Sequence, residues 1–150
     1  MRRPALFNLV LVFGLFIAFV AMPIDFLQAA GDTHYVDDDN CAEPGTGAEA
    51  EPFCKIQDGI DAASSGDTVQ VAPGTYYENI TMKSGVVIQG AGAGDEPSSH
   101  SIIDGGGTGR VVIASDVDSA AKLDGFKITN GSASHGGGMR NISSSPTVTN

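Results

Sequence analysis

From Thr68 onward the chain offers no long strand-forming run. Thr68-Val69-Gln70-Val71, Ile80-Thr81-Met82, Val86-Val87-Ile88-Gln89, Ser101-Ile102-Ile103-Asp104, Val111-Val112-Ile113, Phe126-Lys127-Ile128-Thr129 and Thr147-Val148-Thr149 are each bounded by Gly, Asn, Asp, Ser or Pro. A sandwich prefers longer strands, about five to seven residues, joined by frequent hairpin turns. Asn130-Gly131 comes nearest to a hairpin signal, but the residues after it are mostly Ser and Gly rather than a second alternating strand. Short runs suit a coil in which each turn contributes two or three strands and stacks on the next. Twenty glycines supply the tight corners. Ile128-Thr129-Asn130 also recurs as Val148-Thr149-Asn150, with Gly136-Gly137-Gly138-Met139-Arg140-Asn141 between the copies. The expected fold class is therefore all-β, a solenoid in preference to a β-sandwich or jelly roll. The pattern stops in mid-course at Asn150, so the chain reads as the truncated opening of a longer one.

Three segments are expected: a signal peptide over residues 1–30, an N-terminal strand, loop and helix over 31–67, and the first coils over 68–150. Arg2 and Arg3 precede an apolar stretch from Ala5 to Met22, and Ala29-Ala30 precede polar sequence. The competing reading is an uncleaved anchor, since the stretch lies at the lower limit for spanning a bilayer. Cleavage leaves no expected membrane span and places the product outside the cell, secreted or on the cell surface.

Removing residues 1–30 leaves six basic and seventeen acidic residues, a formal charge of about −11. That balance disfavours nucleic acid and anionic membrane surfaces as partners. The two cysteines, Cys41 and Cys54, flank a loop rich in Gly, Ala, Glu and Pro. An even count in an exported chain favours a disulfide between them over free thiols, worth on the order of 3 kcal/mol in the chain-entropy account. Two thiols alone make a poor zinc site.

Pro52 to Ser64 reads as the one helix, with Pro52 in the first turn and Phe53, Ile56, Ile60 and Ala63 on one face. Gly59 weakens it by about 1 kcal/mol of propensity. Such a helix could cover the apolar interior at the start of the coil.

No catalytic constellation emerges. There is no Gly-x-Ser-x-Gly elbow, His-Glu-x-x-His or phosphate-binding loop. His34, His100 and His135 sit in turns or loops and read as surface residues. Asp37, Asp38, Asp39 and Asn40 offer oxygen ligands of the kind Ca²⁺ prefers, without EF-hand spacing, and a solvated turn is the default. No other cofactor is expected. Asp104, before Gly105-Gly106-Gly107, reads as a turn residue rather than a site acid. Asn130 and Asn150 read as a structural ladder of stacked amides. Asn79-Ile80-Thr81, Asn130-Gly131-Ser132 and Asn141-Ile142-Ser143 match the glycosylation pattern and read as incidental.

Several motifs carry a family resemblance. Tyr35-Val36-Asp37, Pro52-Phe53-Cys54-Lys55-Ile56-Gln57, Gly66-Asp67-Thr68-Val69-Gln70-Val71, Pro73-Gly74-Thr75-Tyr76 with Glu78, Val87-Ile88-Gln89-Gly90 and Ile102-Ile103-Asp104-Gly105 resemble the opening of secreted bacterial proteins of the pectin-lyase-like superfamily. Gly137-Gly138-Met139 with Ser145-Pro146-Thr147-Val148 is similar to the repeat of polymorphic outer-membrane proteins. Phe126 and Asn130 stand one residue too far apart for that repeat. The resemblance implies a right-handed parallel β-helix with an N-terminal capping helix. It also implies one of two functions. One is a non-catalytic exported scaffold for adhesion or glycan contact, with a polysaccharide or cell-surface ligand as partner. The other is the N-terminal part of a polysaccharide lyase or glycoside hydrolase with its active site in later turns.

Overall fold

The computed structural model describes residues 31–41 and 43–150. The signal peptide expected over 1–30 lies outside the described residues. Among the described residues, eleven strands and one helix run in order: β1 (Thr33–Val36), α1 (Ile56–Ala62), β2 (Thr68–Val71), β3 (Gly74–Tyr76), β4 (Ile80–Thr81), β5 (Val87–Gln89), β6 (Ser101–Asp104), β7 (Val112–Ser115), β8 (Lys122–Asp124), β9 (Phe126–Thr129), β10 (Met139–Ile142) and β11 (Thr147–Thr149). They form three sheets ordered β1-β2-β5-β8-β11, β4-β7-β10 and β3-β6-β9, every pairing parallel.

The expectation of a right-handed parallel β-helix is corrected here. The architecture is three short parallel sheets of five, three and three strands with one helix, rather than a solenoid. The register carries no single period. In the large sheet Thr33 pairs with Thr68, Thr68 with Val87, Val87 with Lys122 and Lys122 with Thr147, offsets of 35, 19, 35 and 25 residues. The repeated tripeptide is likewise no structural repeat. Ile128 and Thr129 pair with Ile103 and Asp104, whereas Val148 and Thr149 pair with Leu123 and Asp124 in another sheet. Asn130 and Asn150 therefore follow strands of different sheets, and the expected amide ladder between them is not formed.

Alternation within each strand sends one row of side chains inward. Val69, Ile88 and Leu123 align across the large sheet, Tyr76, Ile103 and Ile128 across the second, and Ile80, Val112 and Met139 across the third. These rows meet in one core, which also takes Val36, Ile56, Ile60 and Ala63 from the N-terminal segment. Each fully buried aliphatic side chain contributes roughly 2 kcal/mol. Gly125, the single residue between β8 and β9, sits at φ +72°, and a Cβ there would lie 2.9 Å from the Gly90 carbonyl oxygen. Only glycine makes that corner without strain.

The helix is shorter than expected and starts later. Phe53 belongs to an extended bridge with Val36: its N–H donates to the Tyr35 carbonyl at 2.9 Å, and its carbonyl accepts from the Asp37 N–H at 2.9 Å. That pairing holds the backbone out of the helix until Ile56. Gly59 is required by close approach, because a Cβ there would lie 2.9 Å from Val69 Cγ1 and 3.0 Å from Val36 Cγ2.

Lys55 supplies no side-chain cap to α1. Both helix ends are instead held from the neighbouring sheets. The Ile56 and Gln57 N–H groups donate to Glu78 Oε1 and Oε2 at 2.8 and 3.1 Å. Lys83 Nζ donates to the Asp61 and Ala63 carbonyls at 3.1 and 2.5 Å. An anion at the start and a cation at the end also match the helix dipole.

Candidate functional site

The N-terminal segment carries an open cleft, lined in part by Cys54 of the disulfide. Cys41 and Cys54 are bonded, 13 residues apart in sequence, with Cα atoms 5.1 Å apart. The loop between them is tied back on itself and on β1. Thr46 and Gly47 N–H donate to the Glu51 carbonyl, and the Tyr35 N–H donates to the Gly47 carbonyl at 2.8 Å. Against this loop opens a cleft of about 580 Å³, lined by Glu43, Pro44, Gly45, Phe53, Cys54, Lys55 and Asp58. That volume lies within the range of small-ligand sites. Phe53 is half-buried and packs against the core, and the His34 ring is centred 6.5 Å from its own at 30°. Gly47 lies directly on the Phe53 ring edge, where a Cβ would clash. Lys55 and Asp58 line the cleft beside it. The cleft thus combines one half-buried aromatic ring with carboxylates of two residues and one ammonium.

Beyond the cleft, several carboxylates are engaged in holding the fold. Asp37 Oδ1 accepts from the Asp39 and Asn40 N–H groups at 3.0 and 3.1 Å, and Oδ2 from Asn40 Nδ2 at 3.0 Å. This is an Asx-type turn of the kind that Asp favours. Asp38 turns away to the start of β3, where its Oδ1 is buried without a hydrogen-bond partner and burial raises its pKa. A Cβ at Gly74 would clash with it. Among the described residues, no three His, Cys, Asp or Glu side chains converge on one point. The calcium ligation considered for Asp37, Asp38, Asp39 and Asn40 has no converging set behind it.

The remaining candidates fall apart in the same way. Asp104 Oδ1 accepts from the Gly106 N–H at 2.8 Å, and its Oδ2 from Asn130 Nδ2 at 2.7 Å. Asn79 Nδ2 donates to the Thr108 and Arg110 carbonyls at 3.0 and 2.8 Å. His100 bonds within its own loop, to Ser99 Oγ and the Glu96 carbonyl. His34 is not a free surface residue: Nε2 lies 3.4 Å from Asp67 Oδ2. Glu78 and Lys83 do not stand out as clamps in the sequence, and nothing local marks them, since their partners lie about twenty residues upstream.

Asp67 is the most heavily used acid. Oδ1 accepts from the Asp32 N–H at 2.8 Å, and Oδ2 from the Ser64 N–H at 2.7 Å and His34. The Ser64 and Asp32 N–H groups, then His34, hold its pKa below the ordinary 3.8. The ionised form therefore stabilises the fold above that ordinary value, and the contribution is lost as pH falls through the lowered one. Asp67→Asn should lower the thermal midpoint near neutral pH and make the acid limb of a midpoint-versus-pH curve shallower than that of the parent. Parallel curves would show that Asp67 plays no part in acid unfolding.

In comparisons with protein-family models, curated proteins and solved structures, nothing matches the chain. The motif resemblance to pectin-lyase-like proteins gains no support from relatives.

Proposed function

We propose that the chain is an exported, non-catalytic β scaffold, secreted or held at the cell surface, that contacts glycan through the 43–58 cleft. The observation that carries this reading is the half-buried Phe53 ring, which lines an open cleft beside Lys55, Glu43 and Asp58. A sugar ring stacks its C–H face on such an aromatic while its hydroxyls bond to the flanking charges. The non-catalytic part rests on the fate of the other acids: Asp37, Asp67, Glu78 and Asp104 all accept hydrogen bonds that maintain turns or the helix. The extracellular location rests on the leader read in residues 1–30 and on the disulfide. No helix among the described residues is long and apolar enough to cross a membrane.

Titration of the exported protein with a panel of neutral and acidic oligosaccharides, followed by NMR, should shift the Phe53, Lys55 and Asp58 resonances. Phe53→Ala should weaken that binding at least tenfold, and Tyr77→Ala, at a site 77% exposed, should not. Shifts confined to other faces would sink the cleft assignment. Cleavage of any polymer in the panel that is lost in Asp58→Asn or Glu43→Gln would overturn the non-catalytic reading.

A further inference from the structure

Two carboxylates of the 43–58 cleft are spare. Asp37, Asp67, Glu78 and Asp104 each accept backbone N–H groups that hold a turn or the helix. Among the described residues, Glu43 and Asp58 accept no hydrogen bond, and the ion pairs His34–Asp67, Lys122–Asp124 and Lys127–Asp95 lie elsewhere. Lys55 lines the same cleft and is paired with neither acid. All three side chains are exposed. A ligand can therefore recruit them without breaking a bond of the fold.

Charge then decides what kind of ligand suits them. The cleft sets two negative groups against one positive. The chain around it deepens the imbalance: residues 31–61 hold nine acidic side chains and one lysine, and the whole sequence carries a net charge of −10. Such a field gathers cations at the cleft and repels polyanions. A uronic acid polymer would bring a carboxylate on every ring against Glu43 and Asp58. A neutral sugar would use the aromatic ring and hydroxyl hydrogen bonds, but would leave both carboxylates without a charged partner. A hexosamine with a free amine offers an ammonium beside its hydroxyls and an apolar C–H face for Phe53. Hydrogen bonds from an ammonium to a carboxylate are roughly twice as strong as neutral ones.

We infer that the ligand of the 43–58 cleft is a cationic glycan, built of hexosamine units with free amino groups, whose C–H face packs on Phe53 and whose ammonium groups bond to Glu43 and Asp58. Lys55 donates to a hydroxyl or ring oxygen of the same sugar. The inference rests on the glycan reading above and adds to it the charge of the sugar. N-acetylation of the ligand removes that charge and, with it, the preference.

The test is calorimetric titration of the full chain recovered after export, with NMR to place the contact. Three probes are used: a tetramer of glucosamine, the same tetramer fully N-acetylated, and a tetramer of galacturonic acid. The amine tetramer should bind roughly tenfold or more tighter than its acetylated form, the size of one charge-assisted hydrogen bond. The galacturonate should not bind. The preference for the amine should shrink as salt rises. Glu43→Gln combined with Asp58→Asn should abolish it. Glu96→Gln combined with Asp116→Asn, which removes the same charge from exposed positions outside the cleft, should keep it. Equal affinity for the amine and acetylated tetramers at the cleft would overturn this inference and leave the glycan reading standing. Galacturonate binding as tightly as the amine, or equal loss of preference in the two double variants, would also overturn it. Oligolysine of equal charge binding the cleft as tightly as the amine tetramer would put a peptide in place of the sugar and overturn both readings. So would cleft resonances that respond to none of the three saccharides.

Discussion

Ile60→Asp should cost the fold several kcal/mol, about 4 by the usual magnitudes for a charge placed unpaired in an apolar interior. Ile60 is 1% exposed and shares the core with Val36, Val69 and Val71. No cationic side chain belongs to that core cluster, so the new carboxylate would have no partner. The native state must then either bury the charge, protonate it, or lift the helix off the sheets. Chemical denaturation of Ile60→Asp beside Asp61→Asn, one position on and exposed, measures the effect. A midpoint for Ile60→Asp within error of the neighbour's would remove α1 from the core.

The second large effect is expected at Glu78. Glu78→Ala deletes both acceptors for the Ile56 and Gln57 N–H groups in a region without another side-chain cap. Two charge-assisted hydrogen bonds lost, with donors left half-buried, put the cost at about 3 kcal/mol. Glu78→Gln keeps one acceptor and should cost less. The pH dependence runs opposite to that of Asp67. Burial raises the Glu78 pKa above its ordinary 4.5, against the lowering effect of the Gln57 and Ile56 N–H groups. The folded state thus holds its proton more tightly than the unfolded chain does. Stability from this group declines as pH rises from the ordinary value through the raised one. Denaturant midpoints of the parent, Glu78→Ala and Glu78→Gln, measured on both sides of that window, check both claims. Equal midpoints for Glu78→Ala and the parent would mean that water caps the helix as well as Glu78 does.

Strand content is legible in the sequence and topology is not, for a physical reason. Thr33–Val36, Thr68–Val71, Ser101–Asp104, Phe126–Thr129 and Thr147–Thr149 are strands where β-branched and aromatic runs stand between turn residues. Lys122–Asp124 and Met139–Ile142 escape detection because their alternation is not hydrophobic and their strand state is imposed by neighbours. Which sheet each strand joins depends on pairings 19 to 35 residues away, and a local repeat such as Ile-Thr-Asn carries no information about them. The disulfide is legible because only two cysteines exist and they flank one loop. The cleft beside it is not, since Phe53 reads as a helix-face residue until the bridge to Val36 pulls it out of the helix.

The unequal register has a consequence for how such a molecule can vary. The strands of the large sheet stay in register although 19 residues separate one pair and 35 the next. Much of the difference is carried by residues 90–100, an excursion between β5 and β6 tied down by the Gly92 N–H to the Gly125 carbonyl and the Ser101 N–H to the Gly92 carbonyl. Loop length costs little free energy once its two stems are fixed. Insertions and deletions in that excursion should therefore cost little, while the one-residue corner at Gly125 leaves no room for them. The interior acts as a fixed frame, and the surface it displays can be lengthened, shortened or recharged without the frame being rebuilt.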